Sequence, residues 1–167
     1  RSIVPRKGHH VLIEALATLT DLDWSLDIAG ADGRSPETAE RVRALIKSQR
    51  LESRIRMLGA VDDARLADLY ADADLFVMPS LFEGYGMVLA EAMVRGLPIV
   101  CTTGGAAAET APDAAALKVP PGDSESLARG MRRLIEDPPL RRQMADAAWA
   151  AGQKLPRWED TARLIAD

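Results

Sequence analysis

Short apolar runs alternate along the chain with longer stretches in which apolar residues recur every three or four positions. The short runs are nearly continuously apolar and are followed by glycine, proline or aspartate, a pattern typical of strands buried on both faces of a sheet. These runs predict five strands, at 24–29, 55–58, 75–78, 97–101 and 116–119.

The stretches with helical spacing predict helices between these strands. Asp62 and Asp123 are suited to cap two of them, Gly96 to end another, and Pro138 to begin the next to last. The predicted helices cover 11–19, 36–50, 62–70, 86–95, 123–135 and 138–151, with a further helical stretch from Trp158. Because a parallel crossover needs a helix-sized connection, the alternation predicts parallel strands. We expect one α/β domain over 1–167, a single doubly wound, Rossmann-like sheet with helices on both faces.

Composition and charge narrow the possible partners. A net charge of −4 and only 4% aromatic residues give no basic or stacking surface for nucleic acid. Cys101 is the only cysteine, which excludes a disulfide framework and favours a reducing, cytoplasmic compartment. No apolar run approaches the roughly 20 residues that cross a bilayer. The chain begins at Arg1 without an initiator methionine, so we expect a piece of a longer protein, with its first strand and terminal helix truncated.

The loop after the predicted third strand carries the most candidate binding residues, because doubly wound sheets bind ligands beyond the carboxyl ends of their strands. Gly84 and Gly86 precede a helix whose free N–H groups favour a phosphate. Glu83 would accept hydrogen bonds from sugar hydroxyls or, alternatively, cap the helix. Glu91 lies on an apolar stretch, where it would bind a ribose diol, point to solvent or pair with Arg95.

Basic residues near the start of the chain form a second candidate site. Arg1 and Lys7 would clamp a diphosphate, with bidentate contacts from the guanidinium and a point charge from the ammonium. Taken as an isolated pair they are better explained as ordinary surface cations, and Arg6 competes for the same role. His9 and His10 are expected to be solvent-exposed at the start of a helix, and no third ligand supports a metal site.

Taken together and in order, these motifs resemble the C-terminal domain of the group 1 (family four) glycosyltransferases, which have the GT-B fold. The resemblance covers nearly the whole chain. The matching stretches are Arg1 with 5–8, 28–30, 58–61, 72–80, 83–93, 96–100, 104–105 with Glu109, 119–123 and 127–128.

The resemblance implies a role for each candidate residue. Arg1 and Lys7 would hold the diphosphate of a nucleotide-sugar donor, Glu83 would be the catalytic residue that binds the transferred sugar, and Glu91 would bind the ribose. Other contacts would come mainly from the main chain, at Gly84, Tyr85, Gly86, Met87 and Val88 for sugar and phosphate and at Gly30, Leu58 and Val61 for the base. The implied reaction transfers a hexosyl group with retention of configuration and uses no metal ion or cofactor, because fixed cations and a helix N-terminus can stabilise a departing diphosphate.

The resemblance also implies a partner domain. An N-terminal domain of the same protein would bind the acceptor and supply any peripheral membrane contact, so 1–167 alone is expected to bind donor weakly and to transfer no sugar. Two alternatives stay open: a GT-B epimerase or phosphorylase, and a non-catalytic receiver-type α/β module. The sequence shows neither a lysine environment for pyridoxal phosphate nor an acidic cluster at the first strand.

Overall fold

The structure, a computed structural model, describes residues 2–156. A short 3₁₀ helix, Pro5–Lys7, comes first, and parallel strands then alternate with α-helices as the sequence predicts. The strands are β1 (Leu26–Ala29), β2 (Ile55–Gly59), β3 (Phe76–Met78), β4 (Ile99–Thr102) and β5 (Ala116–Val119). The helices are α1 (His9–Ala17), α2 (Pro36–Ser48), α3 (Asp63–Asp72), α4 (Met87–Val94), α5 (Ala107–Thr110), α6 (Ser124–Glu136) and α7 (Pro138–Gln153). The helical stretch expected from Trp158 lies outside the described residues.

The strands divide into two sheets where the sequence predicts one. β1 pairs with β2, and β4 lies between β3 and β5, all in parallel. The segment 2–6 links the two sheets at their carboxyl ends. Ile3 N donates to Ala31 O at 3.1 Å, and Leu81 N donates to Arg6 O at 2.7 Å. The first contact belongs to an isolated parallel bridge between Ser2 and Ala31, so the sheets are joined through this segment rather than by a continuous ladder.

Helices cover both faces of the central strand β4. Val100 of β4 packs into a buried cluster with α1, α2 and α6, whereas its neighbours Ile99 and Cys101 pack into a second cluster with α4 and α7. Ile28 and Ile55, from β1 and β2, belong to the first cluster. The two sheets therefore share one core. Cys101 is fully buried, and burial raises the pKa of its thiol to about 11.

Local end signals are confirmed. The carboxylate of Asp62 accepts from Arg65 N, and that of Asp123 accepts from Ser126 N, which caps α3 and α6. Gly96 follows α4 with a positive φ of 68°. Trp149 lies against Gly96 but stays 54% exposed.

The sequence analysis missed the Pro5–Lys7 turn and α5, because both are too short to show a period.

Within residues 2–156, no helix is both long and apolar enough to span a membrane.

Candidate functional site

Lys7 and Glu83 meet at the carboxyl ends of the strands, although 76 residues separate them. Lys7 Nζ lies 2.6 Å from Glu83 Oε2, and the two side chains are 23% and 10% exposed. The sequence analysis assigned Lys7 to the diphosphate and Glu83 to the transferred sugar of a nucleotide-sugar donor. The structure makes them partners in one partly buried ion pair.

Close backbone packing sets the position of Lys7. The next residue, Gly8, ends the 3₁₀ turn and begins α1 with a φ of +70°. A Cβ on Gly8 would lie 2.0 Å from Pro79 O. Only glycine combines this left-handed backbone with so close an approach. The Arg6 guanidinium, which is exposed, adds a hydrogen bond of 3.4 Å to Phe82 O.

The Glu83 backbone is held from the opposite side by the loop after β4. Glu83 N donates to Gly104 O at 3.1 Å, and Ala106 N donates to Glu83 O at 2.8 Å. The buried Thr102 hydroxyl donates to Ser80 O at 2.5 Å. Both backbone polar groups of Glu83, the N–H and the carbonyl oxygen, are therefore hydrogen-bonded. The carboxylate can change position only through the side-chain torsions of Glu83.

The electrostatics of Glu83 favour the ionised carboxylate. Burial by itself would raise the pKa of Glu83, but the hydrogen bond and charge of Lys7 outweigh it and lower that pKa below its usual value. Backbone N–H groups of Tyr85 and Gly86 act in the same direction. These N–H groups belong to the turn before α4, and no side-chain hydrogen bond caps the described start of that helix.

The N-terminus of α4 opens beside this pair. Gly86 occupies the N-cap position with a φ of +66°, and a Cβ there would lie 2.5 Å from Thr110 Oγ1. Among the described residues, no side chain caps α4. Tyr85 and Met87 are 85% and 55% exposed, and neither side chain covers the helix start. The site combines one cation, one carboxylate and a helix N-terminus, an arrangement suited to an anionic ligand that also carries hydroxyl groups.

Glu91 lies one to two turns further along α4, where α3 packs beside it. The hydroxyl of Tyr70, a buried residue of α3, donates to Glu91 Oε2 at 2.9 Å. The Arg95 guanidinium lies 5.5 Å from the centre of the Tyr70 ring. Tyr70 thus orients the carboxylate, and the sequence analysis missed it because the two residues belong to different helices.

The residues proposed to face a base lie on the neighbouring sheet. Gly30 N donates to Gly59 O at 2.9 Å, which joins the loops after β1 and β2. Leu58 and Val61, on either side of Gly59, are partly exposed. The Ile3–Ala31 hydrogen bond connects these loops to the segment that carries Lys7. Arg1 lies outside the described residues, so its predicted contact stays a prediction.

His9 differs from the expectation of an exposed helix-start residue. His10 is exposed, but His9 is partly buried, and within residues 2–156 its Nδ1 is shielded from solvent without a hydrogen-bond partner. Burial, together with the charges of Lys7 and His10, lowers the pKa of His9 from 6.5 to about 4. The folded chain therefore holds His9 neutral next to the Lys7 backbone.

The burial of His9 predicts pH-dependent stability. Below its unfolded pKa near 6.5 the unfolded chain takes up a proton that the folded chain refuses until about pH 4, so stability falls over this interval. Between about pH 7 and about pH 5 we expect a loss on the order of 1–2 kcal/mol, after allowing for partial solvent contact of the ring. Urea unfolding at both pH values measures it. His9→Gln should flatten the dependence, His10→Gln should not, and equal slopes in both variants would contradict the assignment.

Comparison with known proteins identifies the family. The model of the family described as "Glycosyl transferases group 1" matches residues 1–150. The D-inositol 3-phosphate glycosyltransferase of Corynebacterium urealyticum is 30% identical over 167 residues, covering 96% of this chain and 39% of the relative. The chain thus spans about two fifths of the length of the curated relatives it matches.

Two solved structures place the fold within that family. The C-terminal domain of LpcC, a group 1 glycosyl transferase family protein from Francisella tularensis, superposes with a TM-score of 0.83 at 26% identity, covering 91% of this chain and 80% of that one. Anabaena HepE in complex with UDP-glucose superposes with a TM-score of 0.86 at 28% identity, covering 99% of this chain and 47% of that one. The α/β arrangement is therefore that of a C-terminal GT-B domain, and the chain belongs to the group 1 glycosyltransferases.

Proposed function

We propose that this chain binds the nucleotide-sugar donor of a retaining hexosyltransferase. The observation that carries the proposal is the Lys7–Glu83 pair, 2.6 Å apart beside the uncapped start of α4. Family membership and the UDP-glucose bound to HepE support the same ligand class. No observation favours an epimerase, a phosphorylase or a receiver-type module over the transferase.

Each polar group of the site then has a partner on the donor. The Lys7 ammonium and the N–H groups at Gly84–Val88 bind diphosphate oxygens, which carry the negative charge that a helix N-terminus and a cation attract. Glu83, the proposed catalytic residue, accepts hydrogen bonds from hydroxyls of the transferred sugar. Glu91, oriented by Tyr70, accepts hydrogen bonds from the ribose.

The same groups assist bond cleavage. As the bond between the anomeric carbon and the diphosphate oxygen breaks, its electron pair stays on the leaving diphosphate. Lys7, once the diphosphate shares or replaces its contact with Glu83, and the N-terminus of α4 stabilise that developing charge. In the proposed enzyme an N-terminal domain holds the acceptor, whose hydroxyl oxygen forms the new bond to the anomeric carbon while its proton passes to the departing diphosphate. Arg1 would add a second cation, while Gly30, Leu58 and Val61 would contact the base.

A binding screen tests the proposal. Isothermal titration or NMR titration of the 167-residue chain with UDP-glucose, GDP-mannose and ADP-glucose should detect binding of at least one donor, with the NMR signals of residues 79–91 and of Lys7 shifted. Binding of none of the three, by a chain shown to be folded, would contradict the proposal. The cytoplasmic location expected from the single cysteine is a separate prediction.

The ribose assignment of Glu91 gives a prediction of its own. Glu91→Gln should weaken nucleoside diphosphate binding by about 10-fold, the range of one charge-assisted hydrogen bond, because the amide is a poorer acceptor for the ribose diol. Tyr70→Phe, which keeps the ring but removes the hydroxyl bonded to Oε2, should weaken binding by a smaller factor. The 2′,3′-dideoxy analogue is the control ligand. Equal losses for the analogue and the natural diphosphate would mean that Glu91 does not contact the ribose.

A further inference from the structure

The partly buried ion pair between Lys7 and Glu83 places a carboxylate at the position where the proposed diphosphate must bind. Neither group can withdraw by a backbone movement at low cost. The Glu83 backbone bonds to Gly104 and Ala106, and the Lys7 segment bonds to Leu81 through Arg6 O. A diphosphate that reaches Lys7 therefore has to share the ammonium with Glu83 or displace it.

A nucleoside diphosphate and an intact sugar nucleotide therefore meet different electrostatic conditions at Glu83. A nucleoside diphosphate brings negative charge next to an ionised carboxylate and offers that carboxylate no hydrogen-bond donor. An intact sugar nucleotide brings less negative charge, because the terminal phosphate oxygen is bonded to the sugar, and its sugar hydroxyls donate to Glu83 in place of the Lys7 ammonium. Because the Glu83 side chain is only 10% exposed, water does little to reduce the repulsion between its carboxylate and a nucleoside diphosphate.

We infer that Glu83 makes the site discriminate against nucleoside diphosphates that carry no sugar. The inference rests on the proposed function and adds a selectivity to it: the spent nucleotide is bound more weakly than its phosphate contacts alone would allow, which favours product release. Arg6 is exposed and bonded to Phe82 O, so its charge lies at the edge of the site and does not replace Lys7 as the partner of Glu83.

Substitution of Glu83 by glutamine removes the negative charge of the side chain and keeps its size and shape. Glu83→Gln should bind UDP and GDP about 10-fold more tightly than the unmodified chain, the factor expected when a like charge a few ångströms away is removed in partly hydrated protein. The same variant should bind UDP-glucose and GDP-mannose no more tightly, so the preference for the sugar-bearing ligand should disappear. Glu14→Gln, which removes the same charge from an exposed position on α1, is the matched control and should change neither affinity.

A second measurement uses the unmodified chain and does not depend on the folding of the variant. An excess of free glucose or mannose should tighten binding of UDP or GDP several-fold, because the hexose satisfies Glu83 and the coupling is reciprocal. Unchanged or weaker diphosphate affinity in a folded Glu83→Gln chain, or no effect of hexose, would overturn the inference. If the unmodified chain binds neither nucleotides nor sugar nucleotides, the proposed function itself fails.

Discussion

Replacing Gly8 with alanine should lower the free energy of unfolding by about 3–5 kcal/mol, a large share of the stability of a domain of this size. Two effects add at this position. The backbone has a φ of +70°, which alanine adopts only with strain, and the new Cβ would lie 2.0 Å from Pro79 O. Because the contact is with backbone, the loops carrying Lys7 and Glu83 must move apart.

Chemical denaturation with a nucleotide titration measures both consequences. Donor binding should be lost even under conditions where Gly8→Ala stays folded, because the Lys7–Glu83 distance depends on this contact. Gly33→Ala is the matched control, since a Cβ there meets nothing within 4 Å and its φ is not positive. A Gly8→Ala chain with unchanged stability and affinity would show that the two loops do not need to pack this closely.

Replacing Lys7 with methionine should weaken binding of UDP or GDP by about 100- to 1000-fold, or roughly 3–4 kcal/mol. Loss of one charge-assisted hydrogen bond accounts for about half of this effect. The rest arises because Glu83 then keeps its charge, without a partner, beside the incoming diphosphate. Uridine and guanosine, which lack phosphate, should bind to the variant about as well as to the unmodified chain.

A double variant separates the two contributions. Lys7→Met combined with Glu83→Gln should recover about 10-fold in affinity relative to Lys7→Met alone, because the uncompensated carboxylate is removed with its partner. Lys47→Met, an exposed charge loss on α2, controls for the change in net charge. An equal loss for nucleosides and nucleoside diphosphates would instead assign Lys7 a structural role.

Local signals in the sequence were sufficient to predict the strands and the longer helices of the described chain, in their order. The Asp62 and Asp123 carboxylates reach N–H groups three residues away, and Gly96 ends α4 through its own backbone conformation. The apolar run of β4 shows no alternation because all four of its residues are buried. The family resemblance likewise rested on motifs in a fixed order, and the family match confirms it.

The way in which the candidate residues combine became clear only from the folded chain. Lys7 and Glu83 are 76 residues apart, and Tyr70 and Glu91 are 21 apart, so no periodicity links either pair. The division into two sheets and the burial of His9 also depend on long-range packing, which reverses the expectation that a helix-start histidine is exposed. Capping and burial patterns act over three or four residues, whereas an ion pair depends on where separate loops are brought together by the packing of the core.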